Sequence, residues 1–193
     1  MEEGSEIKAT LNAGHIRGEK YLALDLGAES GRAILGSLDE GHLALAEVHR
    51  FDNHAVRVPE GLHWDVLRLW QEIKNALARA ASENSGILTG IGVDTWGVDF
   101  ALLDKHGALI SNPFSYRDRR TDAVLQELTR VIPESELFAL TGIPYLPITT
   151  LCQLLAMRKS ASWALDHASS LLMMPNLFAY WLSGVQVTES TIA

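Results

Sequence analysis

The 193 residues, 47% hydrophobic and 21% charged, suffice for one well-buried domain or a generous half of a two-lobed protein. Sixteen basic against 24 acidic residues leave a net charge of −8, which argues against a nucleic-acid surface, because phosphate-backbone contacts need clustered Lys and Arg. Cys152 is the only cysteine, so there is no disulfide framework and the composition suits a reducing cytoplasm.

Residues 1–19 lack the apolar core of a secretory signal and read as a flexible polar tail. No apolar run approaches membrane-spanning length. Segments 21–26, 32–38 and 43–51 read as three strands joined by tight turns, an antiparallel meander. Segment 66–81 changes to a helical period, with Leu67, Trp70, Ile73, the Lys74 stem, Leu77 and Ala80 on one stripe and Asp65 as N-cap. Strands are expected at 87–94 and 98–103, with Lys105-His106-Gly107 turning the chain toward 108–110. Helices are expected at 122–131 (with Thr121 as cap), at 134–141 ended by Gly142, and at 149–159. A buried strand at 171–174 precedes a helix opened by Pro175 and ended by Gly184, with a short strand at 185–188. The order βββ-α-β, then further strands and helices, implies an α/β domain with a mixed sheet. No linker or repeat divides residues 20–193.

The stretch DLGAESGR, residues 25–32, excludes two phosphate loops. It lacks the G-x-x-x-x-G-K-[ST] and G-x-G-x-x-G spacings, and no helix starts directly after its glycines. It reads as a hairpin tip. Such a tip is compatible with a phosphate cradle if Gly27 and Gly31 take positive φ and turn successive N–H groups into one concavity, with the Ser30 hydroxyl as a further donor. Asp25, ending its strand, suits a hydrated Mg²⁺, which takes few protein ligands. A plain hairpin with an incidental aspartate explains the same residues.

In DTWGVDF, residues 94–100, Gly97 leaves the backbone open to a ligand and Trp96 offers a flat face for the C–H side of a sugar. Asp94 and Asp99 suit hydroxyl hydrogen bonds. An ordinary turn with a core tryptophan is the alternative. YRDRRT, residues 116–121, reads as a solvated helix entry, and Met173-Met174-Pro175 as core. Thr149 and Thr150 suit either a cleft or a helix cap. The seven scattered histidines show no i, i+4 metal pair, and there is no G-x-S-x-G elbow.

DLGAESGR, GVDTWGVDFALLD (92–104), YRDRRT, TGIPYLPITTLCQL (141–154) and LLMMPNLFAYWLSG (171–184) follow one another as in the FGGY carbohydrate kinases, and the chain resembles the rhamnulokinase branch of that family over 21–193. The resemblance implies an actin-like ATPase (ribonuclease H-like) domain, with a βββαβ-type core flanked by helices, forming the first lobe of a two-lobed enzyme. It implies ATP and Mg²⁺ as cofactors and transfer of the γ-phosphoryl group to the 1-hydroxyl of L-rhamnulose or a related ketose. Ala28, Glu29, Ser30, Gly31 and Arg32 would then meet the phosphates and Asp25 the metal through water. Gly97, with Trp96 and Asp94, would meet the sugar. The family's catalytic base lies in a His-Asp-Thr stretch that this chain does not contain, so it is expected several dozen residues beyond Ala193, with the second lobe later still, and the 193 residues alone are expected to be inactive. Another ketose kinase, for L-xylulose or L-fuculose, and a non-catalytic actin-like binding module fit the same residues. Glu29 is a departure: a carboxylate beside triphosphate opposes binding unless a cation such as Arg32 meets it.

Overall fold

A computed structural model of the chain describes residues 18–83 and 87–192. In chain order the elements are β1 (Glu19–Leu26), β2 (Ser30–Asp39), β3 (His42–Asp52), β4 (Ala55–Val58), β5 (Gly61–Trp64), α1 (Val66–Glu83), β6 (Gly90–Thr95) and β7 (Phe100–Leu103). A 3-10 turn (Arg119–Thr121), α2 (Val124–Val131), α3 (Glu134–Thr141), α4 (Thr150–Lys159), α5 (Trp163–His167), β8 (Ser170–Met173) and α6 (Met174–Ser183) follow. The described residues gather into two compact units, those of 18–53 with 70–94, and those of 54–69 with 95–192. The boundaries fall between β3 and β4, inside α1 and near the end of β6, and no Gly- or Pro-rich linker marks them.

The first unit is built on the expected meander. β1 pairs antiparallel with β2, and β2 with β3. Alternation along β1 sends Leu22, Leu24 and Leu26 inward, each at most 1% exposed. Glu40 and Gly41 both have positive φ, the primed turn whose twist matches a two-residue hairpin. β6 joins beside β1, giving the order β3-β2-β1-β6. His49 Nε2 lies 2.7 Å from Glu72 Oε2, tying β3 to α1. β1 begins at Glu19, inside the segment read as a tail; residues 1–17 lie outside the described ones.

Helix α1 starts where expected, because the Asp65 Oδ1 accepts from the Arg68 N–H at 3.0 Å. Its buried stripe is Val66, Leu69, Ile73, Ala76 and Ala80; of the anticipated one, Ile73 and Ala80 are buried and Trp70 and Leu77 half-buried, whereas Leu67 is 62% exposed and Lys74 is exposed.

The second unit contains the β4–β5 hairpin, which the sequence reading missed, and the β7–β8 antiparallel pair. One cluster joins Phe100, Leu102, Met157 and Met173; another joins Val124, Leu128, Cys152 and Ala156. Met173 and Met174 are core, as expected. Thr121 does not cap α2. Asp118 instead caps the preceding 3-10 turn by accepting from Arg120 N at 2.9 Å, Thr121 is buried, and α2 begins at Val124 without a side-chain cap. The expected strand 98–103 opens at Phe100, since Val98 has φ +68°, which no strand accommodates. Segment 87–94 becomes strand only from Gly90, 108–110 makes a single bridge to Leu103, and 185–188 is irregular despite its apolar alternation, with Val185 and Val187 exposed. Gly142 and Gly184 end α3 and α6 with φ of 68° and 76°.

Candidate active site

The hairpin between β1 and β2 turns through Gly27, Ala28 and Glu29, and its ends are held by backbone. Gly27 N donates to Ser30 O and Asn53 N to Glu29 O, both at 2.9 Å, while Asn53 Nδ2 donates to Gly27 O at 2.7 Å. Neither Gly27 nor Gly31 has positive φ, so the anticipated nest of left-handed glycines is absent. Glycine is required here by space. A Cβ on Gly31 would stand 2.3 Å from the Phe51 ring, and one on Gly27 would stand 3.0 Å from Ser30 O. The tip is a closely packed hairpin that exposes Glu29, Ser30 and Arg32.

Asp25 and Arg32 face each other across the β1–β2 register, and Arg32 Nε donates to Asp25 Oδ2 at 2.7 Å. Both side chains are more than a third exposed, so the pair is screened and contributes at most about 1 kcal/mol. The expected metal residue and an expected phosphate residue are thus brought together. A single accessible carboxylate matches a hydrated Mg²⁺ that keeps most of its waters. Among the described residues no group of three His, Cys, Asp or Glu could hold a metal directly.

The sugar-side residues divide between the units. Asp94 is exposed on β6 of the first. Trp96 and Gly97 belong to the second, where a Cβ on Gly97 would meet nothing within 4 Å. No packing among the described residues demands glycine there.

Asp99 departs from expectation. It is fully buried and saturated with donors, so it is not open to a sugar hydroxyl. Its Oδ2 accepts from Trp64 Nε1 at 2.5 Å, Trp96 Nε1 at 2.9 Å and Tyr116 N at 3.1 Å, while Oδ1 accepts from Gln153 Nε2 at 2.7 Å. Burial pushes its carboxyl above the ordinary value, against the downward pull of these donors. The two indoles lie with centroids 4.2 Å apart, so Trp96 is oriented by Asp99 and Trp64 together.

YRDRRT is more than a solvated entry. Asp118 accepts from Leu62 N at 2.8 Å and from Arg57 Nη1 at 3.2 Å besides capping its own turn. Burial pushes Asp118 up, but the backbone N–H groups of Arg120 and Leu62 and the guanidiniums of Arg120 and Arg57 together hold it below the ordinary value. The Arg120 guanidinium lies 4.0 Å from the Phe114 ring centroid and donates through Nη2 to Gln153 Oε1 at 2.6 Å. Sequence reasoning missed Trp64 and Gln153, whose partner Asp99 lies 35 and 54 positions away. An open cavity of about 400 Å³, between Val56, Val58, His63 and Trp64 and the facing Ser111 and Asn112, includes neither Trp96 nor Gly97.

Residues 20–193 match the FGGY family of carbohydrate kinases, N-terminal domain. The chain belongs to this family. It is 42% identical over 175 residues to a rhamnulokinase of Bacteroides thetaiotaomicron and 40% identical over 172 residues to one of Oceanobacillus iheyensis, covering 91% and 89% of this chain. In each case it spans 36% of the relative's length. Its fold is that of FGGY kinases with the actin-like ATPase architecture: xylulose kinases of Lactobacillus acidophilus and Rhodospirillum rubrum both superpose with a TM-score of 0.78, at 15% and 20% identity. Those matches cover 90% and 91% of this chain and 35% and 37% of those structures. No helix among the described residues is long and apolar enough to cross a membrane.

Proposed function

We propose that the chain is the N-terminal lobe of an ATP-dependent kinase that phosphorylates the 1-hydroxyl of L-rhamnulose in the cytoplasm, within rhamnose catabolism. The observation that carries this reading is the 42% identity to a rhamnulokinase over 91% of the chain. Proteins of this family use ATP and a divalent metal, and Mg²⁺ would neutralise charge on the transferring phosphoryl group. Asp25 is the residue assigned to it, through water.

The chain's own part is positioning. Residues 28–32 present a rigid hairpin, with the Ser30 hydroxyl and the Arg32 guanidinium toward the phosphates. Arg32, paired with Asp25 in the chain alone, is the cation that would turn to phosphate, and Asp25 would then hold the hydrated metal. Trp96 and Gly97 line the ketose, Gly97 by bare backbone and Trp96 by its ring; Asp94 is the residue that the family resemblance assigns to a sugar hydroxyl. The proton of the attacking hydroxyl goes to a base that we place beyond Ala193, ahead of the second lobe. The 193 residues alone are therefore inactive.

The test is kinase assay of the full-length protein against a panel of ketoses, with Gly97→Ala beside it. L-rhamnulose should give the highest kcat/KM. Gly97→Ala should raise its KM at least tenfold while leaving thermal stability unchanged, because the new Cβ meets no atom of the described residues. Preference for another ketose refutes the substrate, and absence of ADP formation with every ketose refutes the kinase.

A further inference from the structure

The carbonyl of Val98, next to the bare Gly97, is held in an unusual way. Val98 has φ +68°, a region that a β-branched residue occupies only when its surroundings impose it. Its oxygen accepts from Thr150 Oγ1 at 2.8 Å and from Gln153 Nε2 at 3.2 Å. Gln153 is 1% exposed. Its amide nitrogen also donates to Asp99 Oδ1 at 2.7 Å and to Ile148 O at 3.0 Å, so two N–H groups serve three acceptors. Its oxygen accepts from Arg120 Nη2. That last bond decides which way the amide points. Turned over, it would aim N–H at a guanidinium and a lone pair at a carboxylate.

The two neighbours of Gly97 are thus fixed from one place. Gln153 and Thr150 hold Val98, and through Asp99 the same Gln153 amide reaches the carboxylate that orients the Trp96 indole. We infer that Gln153 is a positioning residue for the ketose: it holds Trp96-Gly97-Val98 in the strained shape that presents the Gly97 backbone. The inference rests on the reading above that this turn meets the sugar. Thr150 contributes the second part of the clamp, through the shorter bond to the Val98 oxygen.

The experiment compares steady-state KM values for ketose and ATP in the full-length protein carrying Gln153→Met, which keeps length and removes the amide. The ketose KM should rise tenfold or more, with the ATP KM held within twofold. Adding Val98→Gly should recover at least half of the loss on a logarithmic scale, because glycine occupies φ +68° unaided. A merely structural role would not divide the two KM values or respond to glycine at 98. Parallel changes in both KM values, a ketose KM within twofold of the unaltered protein, or no recovery overturns the inference. If Gln153→Met does not fold, Thr150→Val decides: a threefold or larger rise in ketose KM alone supports the clamp, and none overturns it. Should the unaltered protein phosphorylate no ketose, the functional reading fails and this inference with it.

Discussion

Replacing Trp64 by Phe withdraws one donor from a buried carboxylate and leaves the other three in place. Trp64 is fully buried, and its Nε1 makes the shortest of the four bonds to Asp99, at 2.5 Å. A hydrogen bond to a charged group is worth about 1.5–3 kcal/mol, and loss of the fused ring adds roughly 1 kcal/mol of packing. The expected cost at neutral pH is about 3 kcal/mol. At roughly 2–4 °C per kcal/mol for a chain of this size, the melting temperature should fall by about 6–12 °C. The cost should also depend on pH. Because burial raises the native Asp99 carboxyl above its unfolded value near 3.8, the native state holds that proton to higher pH. Its contribution to stability is therefore fully present below the unfolded value and is lost as pH rises through the native one. Removing a donor to the ionised form raises the native value further, so Trp64→Phe should cost more at pH 7.5 than at pH 4.5. Circular-dichroism melts of the 193-residue chain at the two pH values measure both numbers. A penalty below about 1 kcal/mol, or one equal at both pH values, would show that the indole contributes packing alone.

Gly31→Ala should destabilise the chain by about 1–3 kcal/mol through overpacking against Phe51, read as a lower urea midpoint with unchanged slope; a neutral result would mean the hairpin yields easily. Asp118→Asn should flatten the acid limb of the stability curve: the native carboxyl is depressed, so its stabilisation is present above the unfolded value and is lost as pH falls through the native one. An unchanged acid limb in denaturant titrations from pH 2 to 7 would remove Asp118 from that account. Glu29→Ser should leave ATP affinity of the full-length protein within several-fold by calorimetry. A gain beyond tenfold, about 1.4 kcal/mol, would mean that Glu29 opposes phosphate at the hairpin.

Local order was readable from the chain because its causes are local. The strand at 21–26, the tight turns of the meander, the Asp65 cap and the glycine stops at 142 and 184 each depend on a few adjacent residues, and all stand in the structure. The meander and the family membership were legible on the same ground, since five short motifs in order need no knowledge of distant contacts. The polar network was not legible. Asp99 looked like a ligand because an aspartate beside a bare glycine in a strand-end turn suits one, and no residue within a dozen positions reveals the Trp64 and Gln153 that claim it.

The glycines of the first hairpin make the same division from the other side. Sequence by itself determined that the loop is a hairpin with no helix behind it, and it offered positive φ as the use of glycine at 27 and 31. Only the tertiary structure decided what those glycines are for. Phe51, 20 positions away and paired to Gly31 across β2 and β3, fills the space a Cβ would need, so the constraint is steric and φ stays ordinary. Likewise the chain spells out Asp25 and Arg32 seven positions apart, but it is the antiparallel register that sets them face to face and lets a guanidinium occupy the carboxylate assigned to the metal. Which atoms fill a given space, and which charges meet across it, are properties of contacts between distant segments, and those exist only once the sheet has formed.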